Sequence, residues 1–282
     1  MKLAVDAVAE DEVEIPGNHD HGKTLNQQEA FVRQTAMLII ACLLLLSTSY
    51  LLGDVKTETV TYKSGDEIVS GYLVTPGTAG SHPALIVVHE YFGLVDWSKE
   101  QAQKFAAQGY VVLAVDLFRG KTTTDPDAAH EFSMGLPRDR AIRDLEAGFQ
   151  YLASRPDVNK EKIGSVGWCM GGGYSLQLAV HEPRLAASVV NYGSMPTDPA
   201  AIAAIHAPIL GIFGADDPGI TPDAVHKFEN AMESAGKSID VKIYDGAGHQ
   251  FENPNVTAAY RPEAARDAWQ RMVDFLAKNL KQ

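Results

Sequence analysis

The chain has 282 residues, is 45% hydrophobic and 21% charged, and carries a formal net charge of −12. That length supplies one large α/β domain with a full core or two small ones, and the apolar-to-charged balance is that of an ordinary globular protein. The negative charge excludes nucleic-acid binding, which needs a basic face, and two cysteines, Cys42 and Cys169, give no disulfide framework.

Residues 1–35 are polar, with seven acidic side chains (Asp6, Glu10, Asp11, Glu12, Glu14, Asp20 and Glu29) against Lys2, Lys23 and Arg33. Such a stretch buries little apolar surface, and disorder is expected. His19-Asp20-His21 within it reads as solvated rather than metal-binding. Residues 36–52, AMLIIACLLLLSTSYLL, are apolar apart from Ser47, Thr48, Ser49 and Tyr50. A spanning helix needs roughly 17–25 such residues. A signal-peptide core needs about 7–15, which residues 36–46 match, although the region before them is too long and acidic for an ordinary signal peptide. The segment is expected to be an export signal or a membrane anchor, so the protein is expected to be exported, periplasmic or extracellular, or held at a membrane through 36–52. A core helix in a cytoplasmic protein is the other reading. Lys23 and Arg33 before it balance Lys56 and Lys63 after it, so charge does not orient it.

From residue 57 the pattern is α/β, and residues 57–282 read as one domain without repeats or linkers. ETVTYK (58–63) and IVSGYLVTP (68–76) alternate around the turn Ser64–Glu67 and predict an antiparallel hairpin. PALIVVHE (83–90) is a continuous apolar run, as a strand covered on both faces should be. A helix over 98–109 closes at Gly109, and YVVLAVD (110–116) is another buried strand. Residues 119–138 read as loop, with a short helix after Pro126. Residues 139–154 place Ile142, Leu145, Phe149 and Leu152 on one helical face. Strands are expected at 162–168, 185–192, 207–214 and 239–245. Helices are expected from about Met170, at 222–236, and at 262–280 with Ala265, Trp269, Met272 and Leu276 inward. The sum is a mostly parallel central sheet with helices on both faces.

GWCMGG (167–172) joins the strand at 162–168 to the helix that follows. The spacing G-x-C-x-G is that of a nucleophile elbow with cysteine as the nucleophile. A side chain two positions before or after the nucleophile would collide as strand turns into helix, and glycine removes it. Cys169 then stands at the carboxyl edge of the sheet, where α/β proteins bind ligands, and the helix N-terminus favours a thiolate there. On its own the pattern also fits a glycine-rich turn with an idle cysteine. The partners decide. An elbow enzyme needs an acid and then a histidine later in the chain. GADDPG (214–219) follows one buried strand with Asp216 and Asp217, and DGAGHQ (245–250) follows the last strand with His249. Both loops leave the sheet at the elbow's edge.

With VVHEYFG (87–93), VDLFRG (115–120), GWCMGG, FGADDPGITP (213–222) and YDGAGHQF (244–251) in this order, the chain over about 57–280 resembles the dienelactone hydrolase family, a branch of the α/β-hydrolase fold. The resemblance implies Cys169 as nucleophile, His249 as its base and Asp217, three residues after Gly214, as the acid. It implies that Glu90 interacts with the thiol and helps to activate it. It places the oxyanion hole at the backbone N–H groups of Tyr91 and Met170. The implied reaction is cysteine-dependent hydrolysis of small activated esters or lactones through an acyl-thioester. Family members acting on dienelactone itself are expected to grip its carboxylate with two arginines. Arg119 lies near the first position, offset by one, and Asn253 stands at the second, so another small ester or lactone is the expected substrate. Trp168 is expected beside the substrate, and Tyr91, Phe92 and Trp97 are read as pocket-lining or core. His89, His130, His181, His206 and His226 have no nameable partner. No metal site, phosphate loop or dinucleotide fingerprint appears, so no cofactor is implied. The competing reading is a non-catalytic module of the same fold that binds a small ligand. Redox sensing would need a resolving cysteine, for which Cys42 is poorly placed.

Overall fold

The computed structural model describes residues 54–282; residues 1–53, including Cys42 and the expected tail and apolar segment, lie outside the described residues. Eight strands form one sheet in the order β1-β2-β4-β3-β5-β6-β7-β8. The strands β1 (Val55–Ser64) and β2 (Glu67–Pro76) pair antiparallel across the expected turn, and β2 pairs antiparallel with β4 (Val111–Val115). From β4 onward every pairing is parallel, through β3 (His82–Val88), β5 (Val158–Trp168), β6 (Ala187–Asn191), β7 (Ile209–Gly214) and β8 (Ile239–Tyr244). The apolar runs ALIVV and VVLAV are buried throughout, because helices cover both their faces.

One face of the sheet is covered by α1 (Asp96–Ala107) and α7 (Pro262–Leu280), which pack Trp97, Phe105, Ala268 and Met272 against Leu85, Val87 and Val166. The other is covered by α3 (Arg138–Ala153), α4 (Met170–His181), α5 (Pro199–Ala204) and α6 (Pro222–Ser234). The stripe Ile142, Leu145, Phe149, Leu152 is buried as expected. On α7 the buried line is Ala268, Met272, Leu276 and Leu280, whereas Ala265 and Trp269 are half-buried; Trp269 lies against the Phe105 ring, 4.7 Å away, at the side of the helix. The helix α2 (Pro126–Met134) starts where expected, with Asp125 accepting from the Asp127 N–H. The six-residue α5 was not expected, although Asp198-Pro199 carries its signal: the Asp198 carboxylate caps the Ala200 N–H, and proline suits the first helical position. Among the described residues no helix is long and apolar enough to cross a membrane.

Candidate active site

Cys169 sits between β5 and α4 with φ 56° and ψ −121°, a conformation that costs a residue with a side chain of order 1–3 kcal/mol. The sequence permits it because of its glycines. A Cβ on Gly167 would overlap the Gly171 carbonyl, and one on Gly171 would overlap the backbone of Val88 and His89 at the end of β3. The Asn191 carbonyl accepts the Cys169 N–H at 3.0 Å, and the Asn191 side chain donates to the Gly167 carbonyl at 3.0 Å, so β6 holds the bend from the side. Replacing Gly171 by alanine should therefore lower stability by about 2–4 kcal/mol, because rigid backbone must give way. Thermal unfolding checks this.

The acid and the histidine arrive from β7 and β8. Asp217 is buried; its Oδ1 accepts the N–H groups of Gly219 at 2.8 Å and Ile220 at 3.0 Å, leaving Oδ2 to meet His249 Nδ1 at 2.6 Å. Burial alone would raise the Asp217 pKa, but the His249 hydrogen bond and the two amides lower it overall. Burial pulls His249 down, yet the Asp217 carboxylate and the Cys169 sulfur outweigh it and lift the imidazole to about 10. Asp216, the other candidate acid, is exposed and makes no ion pair among the described residues. Cys169 and His249 share a cleft of 520 Å³ with Tyr91, Met170 and Tyr192, so the structure brings together the expected nucleophile, the expected base and both residues of the expected oxyanion hole.

Three expectations are corrected. Glu90 is buried and burial raises its pKa, but its carboxylate accepts from Asn253 Nδ2 at 2.8 Å and Gln250 Nε2 at 3.2 Å and makes no hydrogen bond to Cys169. It ties the histidine loop to the end of β3, and the asparagine standing at the second arginine position is spent on it. Arg119 does not line the cleft. Its guanidinium lies 2.7 Å from Asp144, whose carboxylate has no exposure, and 3.3 Å from Glu67; a carboxylate out of water draws the nearest cation. Trp168 is fully buried on the other side of the strand end, its indole N–H donating to Glu252 at 3.1 Å and its ring meeting Trp97 edge-on. Phe92 and Trp97 also lie off the cleft, whereas Tyr91 lines it.

Other residues of the site were not found from the sequence. Arg138, the first residue of α3, lines the cleft and donates to Gln177 Oε1 of α4 at 2.6 Å, without a carboxylate partner among the described residues. Tyr192, held at φ 38° after β6, packs its ring edge-on to His249, centroids 5.1 Å apart. His89 is buried, accepts the Leu117 N–H at 3.2 Å and bridges to the Glu90 carbonyl at 2.6 Å, fixing the turn that presents Tyr91. Burial lowers its pKa and keeps the ring neutral. Among the described residues no group of three or more His, Cys, Asp or Glu side chains could hold a metal ion.

A mostly parallel sheet with an elbow after a central strand, and with an acid and a histidine in the loops after β7 and β8, defines an α/β-hydrolase. The dienelactone hydrolase family model matches residues 69–280. A Methylorubrum extorquens protein named as a carboxymethylenebutenolidase is 30% identical over 224 residues, which cover 74% of this chain and 77% of that protein. A Bradyrhizobium protein named as a 2-oxo-3-(5-oxofuran-2-ylidene)propanoate lactonase is 32% identical, over 74% of this chain and 89% of that one. Among solved structures, a dienelactone hydrolase-like promiscuous phosphotriesterase from metagenomic libraries superimposes with a TM-score of 0.75 at 25% identity, covering 80% of this chain and 99% of that one. The chain belongs to the dienelactone hydrolase family and is a hydrolase.

Proposed function

We propose that the protein hydrolyses small activated esters or lactones with Cys169 as nucleophile. The observation that carries this reading is that Cys169 and His249 face one cleft, with the buried Asp217 carboxylate 2.6 Å behind the imidazole and the imidazole lifted to about 10. In this mechanism His249 takes the Cys169 proton, and a thiolate beside an imidazolium is the attacking form. The thiolate attacks the carbonyl carbon, a C–S bond forms, and the oxyanion takes hydrogen bonds from the Tyr91 and Met170 N–H groups, each worth about 3–4 kcal/mol in such a site. The C–O bond then breaks, and the leaving oxygen takes the proton from His249. Water attacks the resulting thioester, giving a proton to the now neutral His249; the C–S bond breaks, the acid departs, and the thiolate–imidazolium pair returns. A thiolate leaves more readily than an ordinary alkoxide, so esters with poor leaving groups revert, which favours aryl and enol esters and lactones of the kind named for the relatives. Acid-quenching during turnover of p-nitrophenyl acetate, followed by peptide mass analysis, tests this: an acetyl group on the Cys169 peptide is expected, and acetylation elsewhere or none would overturn it.

Arg138 favours substrates with a negative charge. It is a cation in the reaction cleft of an acidic protein, oriented by the neutral Gln177 amide and open to a bidentate partner. Arg138→Gln should lower the ratio of kcat/KM for mono-p-nitrophenyl succinate over p-nitrophenyl acetate about tenfold, mainly through KM. Steady-state kinetics on both esters checks it.

Segment 36–52 lies outside the described residues, and export or membrane attachment through it remains part of this proposal, testable by fractionation of cells expressing the full chain.

A further inference from the structure

We propose that the reaction cleft opens into an apolar chamber that receives a hydrocarbon chain on the leaving alcohol, so that the enzyme acts on esters larger than a single-ring lactone. The inference rests on the cysteine-hydrolase reading above. Toward β7 the cleft ends at Ser194, Met195, Pro196 and Ile220. The same four residues wall a neighbouring space of 690 Å³, so the two volumes meet across them. That space reaches the buried side chains of Ile202 on α5 and Phe228 on α6. It exists because of a local sequence pattern. Ala224, Phe228 and Ala231 fall at i, i+4 and i+7 and share one helical face, with Phe228 buried, Ala231 half-buried and Ala224 exposed at the rim, where a large side chain would reach across the opening. Asp223 and Lys227, like Ser194, Thr197 and Thr221, are exposed at its open side, and its apolar part is the floor formed by Ile202 and Phe228 with the half-buried Ile220 and Ala231.

The orientation of the reaction assigns the occupant. The expected oxyanion donors, Tyr91 and Met170, follow β3 and β5. Asp217, Ile220 and His249 follow β7 and β8, two or more strands further along the sheet. His249 must hand its proton to the leaving oxygen, so the leaving group lies on that flank, and the chamber opens on the same flank beside Ile220. The substrate class is an activated ester whose alcohol is a phenol or enol carrying an apolar chain.

Two ester series separate this from the alternatives. In 4-alkylphenyl acetates the leaving group grows; in p-nitrophenyl alkanoates the acyl group grows. Expected for the wild type is a rise in kcat/KM of about threefold per methylene over the first few carbons of the alkylphenyl series. In Ala224→Trp the ratio of 4-hexylphenyl to phenyl acetate should collapse toward one, and Ala231→Leu should lower it less. Thermal unfolding confirms that both variants fold. A flat alkylphenyl series, a rise confined to the acyl series, or an Ala224→Trp effect that scales short and long esters alike would overturn the proposal. Calorimetric binding of 4-hexylphenol provides a readout independent of chemistry, with affinity expected to fall about tenfold in Ala224→Trp. A protein that binds 4-hexylphenol in this way yet turns over no ester would keep the chamber and refute the hydrolase mechanism. No binding by the wild type would refute the chamber.

Discussion

Replacing Cys169 by alanine should lower kcat/KM for p-nitrophenyl acetate at least a thousandfold while leaving the melting temperature close to that of the wild type. The reason for the first part is that the thioester route has no substitute attacking atom. His249 and Asp217 remain 2.6 Å apart and the expected oxyanion donors remain in place, so the residue left over is water attack assisted by the imidazole and the backbone amides. The reason for the second is that Cys169 is only partly buried and contributes little apolar packing, whereas the bend is fixed by backbone bonds to Asn191 and by the absence of Cβ atoms at Gly167 and Gly171. Alanine tolerates the positive φ no better than cysteine does, so the strain stays. Serine is the more informative companion. Its hydroxyl is nearly isosteric, but it is a far weaker acid than a thiol and does not form the anion beside His249 that the mechanism uses. Cys169→Ser is therefore expected to be almost as inactive as the alanine variant near neutral pH. Steady-state kinetics together with calorimetry measures both parts; substantial turnover by Cys169→Ala would remove the cysteine from the mechanism.

The same contrast explains what was legible in the sequence. The parallel strands announce themselves as apolar runs because both faces are covered. The elbow announces itself because only glycine fits on either side of Cys169. Asp217 and His249 could be placed because the first follows the buried β7 and the second follows β8, the last strand, and parallel strands bring their following loops to one edge. Interactions set by three-dimensional neighbours could not be read. Arg119 looked like a substrate clamp, and nothing local reveals that Asp144 on α3 comes to lie 2.7 Å away with no exposure to water. Trp168 looked like a pocket wall, yet it is fully buried in the same apolar layer as Val166, two residues before it on β5, with its indole N–H on Glu252. Arg138 carried no motif; it enters the cleft only because α3 begins beside α4. Glu90 follows the strand expected over 83–89, but its partners, Gln250 and Asn253, come from 160 and 163 residues away.

Asp217→Asn should lower kcat/KM about a thousandfold near neutral pH and move the alkaline limit of activity to lower pH. In the wild type His249 carries its proton up to about pH 10, since the Asp217 carboxylate and the Cys169 sulfur overcome burial. Above that pH the leaving oxygen loses its proton donor, so activity is expected to decline with a midpoint near pH 10. An amide in place of the carboxylate removes the charge that holds the imidazolium, and burial, which pulls the pKa down, then acts with less opposition. The midpoint should fall toward the ordinary histidine value of 6.5. The amide can also present its NH₂ to Nδ1, which favours the wrong tautomer for proton transfer, and such replacements cost orders of magnitude in related triads. Stability carries the same signature with a defined window. The His249 pKa is raised on folding, so its contribution is complete below about 6.5 and fades as pH rises through 10; the Asp217 pKa is lowered from 3.8, so its contribution is present above that value and is lost in acid. The stability difference between wild type and Asp217→Asn should therefore be greatest between about pH 4 and 6.5 and shrink toward both extremes. Rate profiles and denaturant titrations across that range measure the two effects separately. If the alkaline limit stays at pH 10 in the variant, Asp217 is not what holds the proton on His249, and the ion-pair mechanism loses its electrostatic basis.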